Sequence, residues 1–593
     1  MQDSQTKGKR SMKSLLWIMQ YIFHYRVQAI FMLIAAVAGN LLALAIPGLT
    51  GGIINSLEGG WSEGLLNEVV KGCIMIAGVA AASWILTVLQ GRLMLYCAQH
   101  MVHRLRHDVF EKLMKLPVAY FDFRSKGDII SIISTDIDNI SDTVSSDLVT
   151  LISGVVTVAG SLVYMLRLSP SMTLVFVFTV PAMYIVSMFI SRKARVLHRR
   201  RKESLGILTG YTEEMVTAQK TVKVYGLEEY NTNRFAGYAE DLRENGWRAE
   251  YQSSKMMPTM NGINNVNFTL VCAIGAFLVL GGKMSVGGIS EFIQLSKRFA
   301  GPIVESANII SLFQTSLAAC DRVFTILMAD DEPTGNTAKL PVKIEGNIKF
   351  KDVEFFYNPQ AHVLKDINLT MKPGTCTAIV GSTGSGKTTL ISLLMRFYDV
   401  SSGKILLDGV NINDVDVAEL RRNFALILQD SWLFEGTVYE NIGYAAPPEL
   451  ATNERIEALC REIHIDSFIR ALPAGYNTVL KNDTGSLSQG QKQLLNIARA
   501  FLCNPSVFIL DEATSSVDTL LEKAIQKTTN QVIKGKTSII IAHRLSTILQ
   551  ADNILMMKDG EVVESGTHTE LMKKNGIYRN LYESQFENSL KTG

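Results

Sequence analysis

Five long runs of this sequence contain no charged residue, and this feature limits the folds open to the chain more than any other. Each run is near or above the roughly 20 residues that an α-helix needs to cross a bilayer. The runs are Val27 to Leu57, Gly72 to Gly91, Leu148 to Leu166, Leu168 to Ser191 and Met256 to Gly282. They predict five transmembrane helices in the first half of a chain of 593 residues.

A sixth span is predicted from Met284 to about Thr315, where the apolar pattern continues. Charged residues interrupt this segment at Glu291, Lys297, Arg298 and Glu305. Charges within a span are costly unless they are paired or hydrated, so Lys297, Arg298 and Glu305 indicate either substrate contacts or an ion pair in the bundle. Arg298 and Glu305 are seven residues apart and share roughly one helical face, which fits both interpretations. Six spans leave both chain ends on one side of the membrane.

Basic residues are concentrated on one predicted side of the membrane, in the N-terminal tail and two long loops. They are Lys7, Lys9, Arg10, Lys13, Arg104, Arg106, Arg199, Arg200, Arg201 and Lys202. By the positive-inside rule the tail, these loops and the C-terminal half are cytoplasmic. The formal net charge is +2, and loops beside anionic lipid account for the basic residues, so no nucleic acid partner is expected.

The second half carries a phosphate-binding loop with the sequence GSTGSGKT, placed between an apolar run and a helical pattern. Its glycines let backbone N–H groups surround the phosphates of ATP. Lys387 is expected to meet the β and γ oxygens, and the Thr388 hydroxyl to complete a Mg²⁺ shell. The residues predicted to bind ATP here are Gly381, Ser382, Thr383, Gly384, Ser385, Gly386, Lys387, Thr388 and Thr389.

Two carboxylates follow the buried-strand pattern Val507 to Leu510. Asp511, at the end of this strand, is the expected partner of Mg²⁺. Glu512 is expected to point toward the γ-phosphate, where it orients or deprotonates the attacking water. Together with the phosphate loop, this pair predicts an ATPase.

The sequence LSQGQ at Leu487 to Gln491 resembles the LSGGQ-type signature of the ATP-binding cassette family. Ser488 and the N–H groups near Gly490 would open a helix whose positive end can bind the γ-phosphate, with Gln491 beside them. In the family that phosphate belongs to the opposing subunit. The resemblance therefore implies that a chain with one cassette works as a dimer.

The same resemblance implies roles for three further residues. Gln429 would stand in a query loop that senses Mg²⁺ and the attacking water, and His543 in the sequence IAHR would be the switch histidine. Tyr357 would stack on adenine, since an aromatic ring binds a base without base-specific hydrogen bonds. A position in the core is the alternative for Tyr357.

The resemblance covers nearly the whole chain and implies its fold class. That fold is an α-helical membrane bundle of six transmembrane helices, similar to type IV ABC exporters, followed by an α/β P-loop ATP-binding cassette. The expected domains are a cytoplasmic tail with an amphipathic elbow helix at 1–26, a membrane domain at 27–327, a linker at 328–346 and the cassette at 347–593. In the family, short coupling helices press on the cassettes, and the loops at 117–136 and 215–229 look like the ones that carry them.

A membrane domain followed by one cassette resembles a half-size exporter, and the sixth predicted span is similar to that of bacterial multidrug ABC exporters. The implied function is ATP-driven export of amphipathic substrates, drugs first, from the cytoplasm or the inner leaflet by alternating access. Export of lipid or peptide stays open, and an ATP-gated sensor or channel is the alternative from another class. The implied surroundings are a bacterial inner membrane, its lipid and a hydrophobic or amphipathic small molecule.

Gln489 departs from the family pattern, in which a glycine is usual at this place. Backbone donors survive this change, but a side chain there interferes with close packing against a phosphate. Halves of heterodimeric exporters carry such changes. The expected partner is therefore a second, different half-transporter, and a homodimer stays open.

Overall fold

The structure is a computed structural model that describes Tyr21 and residues 25–58, 64–334, 338–358, 362–428, 432–481, 487–511, 519–542 and 545–584. Its contacts divide the chain into two compact units. The first unit comprises Met1–Met114 and Lys126–Ala329, and the second comprises Lys115–Ser125 and Asp330–Gly593. The predicted elbow helix within 1–26 lies almost wholly outside the described residues. The other predicted domain boundaries stay predictions.

The described residues of the first unit are helical, with short connections between helices. Two single turns of π-helix, Ile132–Asp136 and Thr143–Asp147, lie within the helical path from Lys126 to Leu168. The helices up to residue 334 are α1 (Arg26–Glu58), α2 (Leu65–Lys115), α3 (Val118–Asp122, part of the second unit), α4 (Lys126–Ser131), α5 (Ile137–Asp142), α6 (Leu148–Leu168), α7 (Pro170–Thr217), α8 (Gln219–Tyr225), α9 (Glu228–Ser254), α10 (Met256–Leu280) and α11 (Val286–Leu327).

Five helical stretches in the described part of the chain are long and apolar enough to cross a membrane. They are Arg26–Glu58, Leu65–Lys115, Lys126–Leu168, Pro170–Thr217 and Glu228–Leu280. Each overlaps one of the five uncharged runs, so the five predicted spans are confirmed. The segment predicted as the sixth span forms the continuous helix α11, which is not among these five, so the sixth span stays a prediction.

Local sequence sets where these long helices begin. Ser169 precedes α7, and its side chain accepts a hydrogen bond from the backbone N–H of Met172 at 3.4 Å, while Pro170 occupies the first helical position. Ser285 caps α11 in the same way, accepting from Gly288 N at 3.2 Å. Such caps satisfy backbone N–H groups that have no partner within the helix.

Helices α1 and α11 approach each other closely at a pair of glycines. A Cβ atom added to Gly287 would lie 2.0 Å from the backbone oxygen of Gly51, so no larger residue fits there. Beside this contact, Asn55 Oδ1 accepts a hydrogen bond from Gly287 N at 2.8 Å. Small residues allow membrane helices to pack by close backbone contact, which replaces the hydrophobic driving force that lipid removes.

The second unit contains both strands and helices. Its strands are β1 (Ile348–Phe356), β2 (His362–Met371), β3 (Cys376–Gly381), β4 (Ser402–Leu407), β5 (Val410–Asn411), β6 (Phe424–Ile427), β7 (Gly436–Thr437), β8 (Val479–Leu480), β9 (Val507–Asp511), β10 (Thr537–Ile541), β11 (Asn553–Lys558) and β12 (Glu561–Gly566). Its helices after the linker are α12 (Lys387–Leu394), α13 (Val417–Arg421), α14 (Val438–Gly443), α15 (Asn453–Glu462), α16 (Asp466–Arg470), α17 (Gln489–Leu502), α18 (Thr519–Ile533), α19 (Leu545–Gln550), α20 (His568–Lys574) and α21 (Ile577–Tyr582).

The main sheet of this unit has the strand order β12-β11-β3-β10-β9-β6. Strands β11, β3, β10, β9 and β6 run parallel, and β12 pairs antiparallel with β11 at the edge. A second, antiparallel sheet has the order β2-β1-β4-β5, and β7 pairs with β8. The predicted fold class, a helical membrane domain followed by an α/β nucleotide-binding domain, is confirmed.

Both faces of the main sheet are covered, and the side chains of β3 show this directly. Ala378 and Val380 pack in one hydrophobic cluster, while Ile379 between them packs in another. Successive side chains of a strand point to opposite faces, so a strand covered on both sides must be apolar throughout. This explains why the runs before the phosphate loop and before Asp511 are continuously hydrophobic.

Candidate nucleotide-binding site

Three neighbouring parallel strands end at one edge of the main sheet. Ile541 at the end of β10 lies opposite Ile379 of β3 and opposite Asp511 of β9. Because parallel strands share their direction, the ends of all three meet at the same edge, which is where open α/β sheets bind ligands. The phosphate loop begins at Gly381, so the fold brings Asp511 to the loop.

Two glycines of the loop occupy places that other residues would not fit. Gly386 has a φ of +99°, and a Cβ atom added to it would lie 2.6 Å from Leu364 Cδ2. A Cβ atom on Gly381 would lie 2.3 Å from the backbone oxygen of Met557 on β11. The loop therefore lies directly against the sheet, and helix α12 begins immediately after it at Lys387.

The Lys387 side chain is folded into the loop. Its Nζ donates hydrogen bonds to the backbone oxygens of Gly381 at 2.8 Å and Ser382 at 2.9 Å, and the residue is buried. Burial lowers the pKa of Lys387, and the negative charge of Asp511 opposes this effect. An ammonium group has three hydrogens, so one donor remains for a phosphate oxygen. The arrangement suits the predicted role, which stays a prediction.

Ser385 supplies a second sign that the loop is built for a polar ligand. The residue is only 2% exposed, and its Oγ is buried with no hydrogen-bond partner among the described residues. Buried polar atoms are nearly always paired, so the unpaired Ser385 hydroxyl is available for a hydrogen bond with a bound ligand.

Tyr357 lies beside the start of α12. Its hydroxyl and Thr389 Oγ1 are 3.2 Å apart and form a hydrogen bond. The ring packs edge-on against Phe355, with centroids 4.8 Å apart, and against Tyr398 at 5.0 Å. About a third of the residue remains exposed, at 37%. Tyr357 thus packs on its neighbours and also has exposed surface beside the loop. Its role in stacking on adenine stays a prediction.

The donors predicted for Mg²⁺ are a hydroxyl and a carboxylate. Thr388 is exposed in the first turn of α12, and Asp511 ends the strand next to the loop. Hard oxygen ligands of this type are those that Mg²⁺ prefers, and it keeps several waters as well as substrate phosphates. Within the described ranges no group of three His, Cys, Asp or Glu residues could hold a metal by itself. The donor set therefore fits a Mg²⁺ ion that a nucleotide brings with it.

The signature residues form the start of helix α17. Ser488 Oγ accepts a hydrogen bond from Gln491 N at 3.3 Å, and Gln491 Oε1 accepts one from Ser488 N at 2.9 Å, which is a capping box. Gly490 is buried, whereas Gln489 is exposed. Ser488 and Gln491, which are predicted to contact a phosphate, thus also cap the start of this helix. The Gln489 side chain leaves the capping box intact.

Three predicted catalytic residues fall outside the described residues: Gln429, Glu512 and His543. The same is true of the side chain of Glu305 in helix α11. The structure describes Lys297 and Arg298. Lys297 is exposed at the surface of the first unit.

Arg499 is a positioning residue that the sequence patterns did not reveal. Its Nε donates to Asn441 O at 2.7 Å, its Nη2 to Asn441 Oδ1 at 3.2 Å, and its Nη1 to Trp432 O at 3.1 Å. These bonds tie the signature helix to the chain just beyond the predicted query loop. A sequence signal exists, because Arg499 stands between the buried residues Ala498 and Ala500 of an amphipathic helix.

The predicted loop at 117–136 contains a short helix, α3, which packs with the second unit. Its Asp122 accepts a hydrogen bond from the Tyr398 hydroxyl. Burial and this carboxylate raise the pKa of Tyr398. The loop at 215–229 likewise contains the short helix α8.

Comparison with known proteins gives matches over both halves of the chain. Residues 29–303 match the family model of the ABC transporter transmembrane region, and residues 364–515 match the ABC transporter model. An uncharacterised ABC transporter ATP-binding protein of Bacillus subtilis, YfiC, is 36% identical over 98% of this chain and 96% of its own length. A fatty acid ABC transporter ATP-binding/permease protein of Mycobacterium bovis is 39% identical over 82% of this chain and 77% of its own. An ATP-dependent lipid A-core flippase of Chromohalobacter salexigens is 34% identical over 87% and 88%.

Proposed function

Because the chain belongs to the ABC transporter family, as a half-size exporter that couples ATP hydrolysis to transport, we propose that its cargo is an acyl lipid. The observation that carries this proposal is the similarity to a fatty acid transporter and to lipid A-core flippases over more than four-fifths of the chain. These relatives share the membrane domain as well as the cassette. Cargo contacts lie in the membrane domain, so similarity there bears on the cargo.

This proposal replaces the first expectation from the sequence. Drug export rested on the resemblance of one helix to multidrug exporters, whereas the named relatives favour the lipid alternative. Peptide export has no supporting observation. Coupling of hydrolysis to transport in this family also disfavours the sensor or channel.

The ATP chemistry is proposed to follow the residue roles expected from the sequence. The loop from Gly381 to Thr389 and the Tyr357 ring would bind ATP, and Thr388, Asp511 and Gln429 would hold Mg²⁺, which neutralises phosphate charge when bound. Glu512 would accept a proton from the attacking water while His543 contacts the γ-phosphate. Buried Lys387 and the unpaired Ser385 hydroxyl support a phosphate site.

The chain functions as a dimer, because a half-size exporter has one cassette and one membrane domain. We propose that Ser488, Gly490 and Gln491 of one subunit close the ATP site of the other. Exposed Gln489 at the first position of α17 would then lie between two cassettes, which supports a partner adapted to it. A different half-transporter is therefore proposed first, and a second copy of this chain is the alternative.

The protein is an integral membrane protein. We propose that α11 is its sixth span, that the N-terminus and the cassette are cytoplasmic, and that the membrane is a bacterial inner membrane. The basic tail and the basic long loops support this orientation.

The proposal is tested by lipid translocation in proteoliposomes. The chain is reconstituted together with any half-transporter that co-purifies with it, or alone if none does, and movement of fluorescent fatty acid and phospholipid analogues between leaflets is followed with and without ATP. ATP-dependent movement that Glu512→Gln abolishes is the expected result. Movement of amphipathic drugs but of no lipid would contradict the proposal and restore drug export.

Purification of the chain, alone and from native membrane, tests the partner. Robust ATP hydrolysis by the chain alone, lost in Glu512→Gln, would establish a working homodimer and contradict the heterodimer. Folded protein without hydrolysis, together with co-purification of a second half-transporter from native membrane, is the expected result for a heterodimer.

A further inference from the structure

A cavity of about 610 Å³ lies between helices α10 and α11 of the first unit. Its volume is within the range of about 300 to 1,000 Å³ that is typical of ligand sites. Its lining combines side chains of two kinds. One wall carries Asn261, Asn264, Asn265 and Asn267 of α10, and the other carries Lys297 of α11.

The asparagines are unusual because α10 is one of the confirmed spans. Four amides fall within seven residues, and all four line this cavity. Burying an amide without a hydrogen bond is costly, and polar residues inside a membrane face protein or a wet cavity for this reason. The amides therefore indicate a polar content for this cavity.

Asn267 shows that the hydrogen-bonding capacity of the cavity is not used up by the protein. The residue is 4% exposed, and its Oδ1 is buried without a partner among the described residues. An amide can turn so that either its oxygen or its N–H₂ group faces a ligand. A deeply buried, unpaired amide in a polar cavity points to a group that binds there.

Lys297 supplies a positive charge at the same place. Among the described residues Lys297 has no ion-pair partner, and no carboxylate is among the residues that line the cavity. Lys297 is exposed and lines this cavity, and an anionic group bonded to it and to the amides would provide a counter-ion. The charge and the amides together select an anionic headgroup over a neutral one.

The rest of the lining suits an amphiphile. Met257, Met260 and Phe268 give the cavity an apolar part. Gly301 on α11 leaves room, because a Cβ atom added there would meet nothing within 4 Å. A headgroup beside Lys297 can therefore continue into an acyl chain along apolar side chains.

We propose that this cavity binds the anionic headgroup of an acyl lipid, with Lys297 as its counter-ion and the asparagine amides as its hydrogen-bond partners. This inference rests on the proposed lipid export and names the feature of the lipid that is recognised. The shared chemistry is a carboxylate or a phosphate on an acyl chain. Lys297 and Asn264 are then specificity-determining residues.

The experiment measures lipid binding to the full chain in nanodiscs of phosphatidylcholine. The probes are palmitate, phosphatidic acid and hexadecanol, which has the acyl length of palmitate without a charge. The variants are Lys297→Gln, Lys297→Arg and Asn264→Leu. Lys283→Gln is the matched control, since it removes a lysine of the same unit that does not line the cavity.

Lys297→Gln is expected to weaken binding of palmitate about tenfold or more, because a hydrogen bond to a charged group is lost. Binding of hexadecanol is expected to stay unchanged, and Lys297→Arg to restore most of the affinity for palmitate. Asn264→Leu is expected to weaken palmitate less than Lys297→Gln does. If only phosphatidic acid responds, the headgroup is a phosphate; if palmitate also responds, a carboxylate is sufficient.

Equal palmitate affinity in Lys297→Gln and the parent chain would overturn the inference. So would an equal loss of hexadecanol and palmitate, which would mean that the variant disturbs packing of α10 and α11 rather than a headgroup contact. Lipid translocation by the parent chain is measured separately. If translocation persists while the Lys297 variants bind normally, the site is wrong and lipid export stands; if no lipid is moved or bound, lipid export fails first.

Discussion

The ion pair between Asp136 and Arg322 allows a sharp prediction about what holds the first unit together. Arg322 on α11 donates through Nε to Asp136 Oδ2 at 2.5 Å and through Nη2 to Asp136 Oδ1. The two side chains are unequally buried, with 3% of the Asp136 side chain exposed and 54% of the Arg322 side chain. Replacing one partner therefore has a different cost from replacing the other.

Arg322→Ala leaves a buried carboxylate without its partner. Removing one member of a buried ion pair lowers the free energy of unfolding by about 3 to 5 kcal/mol. Because the guanidinium end of this pair is half-exposed to water, we expect a loss of ~2–3 kcal/mol for Arg322→Ala. Asp136→Asn keeps an oxygen that can accept from Arg322, and the arginine remains hydrated. We expect this second change to cost only about 1 kcal/mol.

The assay is denaturant unfolding of the full chain in detergent micelles, followed by tryptophan fluorescence. A double-mutant cycle with Asp136→Ala and Arg322→Ala then measures the coupling free energy between the two side chains. We expect the double variant to be more stable than Arg322→Ala alone, because it no longer buries an unpaired charge. Equal costs for Arg322→Ala and Asp136→Asn, or a coupling indistinguishable from zero, would refute the reasoning from burial.

Three further predictions concern the second unit. Gly386→Ala should abolish ATP binding, because the φ of +99° at this position strains an alanine within the loop. Gly409→Ala is the control: its φ is +87° in open space, so this variant should lower stability and keep its affinity for a fluorescent ATP analogue. Loss of affinity in both variants would contradict the prediction. Tyr357→Phe should keep ATP affinity within about threefold and Tyr357→Ala should lose about tenfold, since only the second removes the ring. Equal losses in titration calorimetry would rule out stacking. Burial lowers the pKa of His568, so the unfolded chain binds more protons than the folded one at acid pH. The stability that neutral His568 contributes above about pH 6.5 is therefore lost as the pH falls. Between about pH 7.5 and pH 5, the free energy of unfolding of His568→Gln should depend less steeply on pH than that of the parent chain. Identical slopes of unfolding free energy against pH would exclude this contribution.

Much of the fold was predictable because the relevant information is local. A bilayer crossing depends on the length and apolarity of one run, so Val27 to Leu57 predicted its own span. The phosphate loop is a contiguous pattern whose chemistry follows from eight adjacent residues. The sixth predicted span carries charges that work against the same rule, and the structure shows its segment as one long helix.

Other features depended on which elements pack together. Asp511 reaches the phosphate loop only because β10 lies between β9 and β3 and all three run parallel. The roles of Gln429, Glu512 and His543 remain predictions from resemblance. Arg499 was missed because its three hydrogen bonds go to two residues, Asn441 and Trp432, of a different stretch of chain.

The sequence by itself determined that this protein crosses a membrane and carries a phosphate site, since solvent partition and loop chemistry are properties of short stretches. Only the tertiary structure decided that asparagines of α10 and Lys297 of α11 line one cavity, and that Arg322 pairs with a buried Asp136. These side-chain contacts depend on how the helices pack. Helix packing results from many weak contacts between residues that are distant in sequence, so no single stretch of sequence determines it.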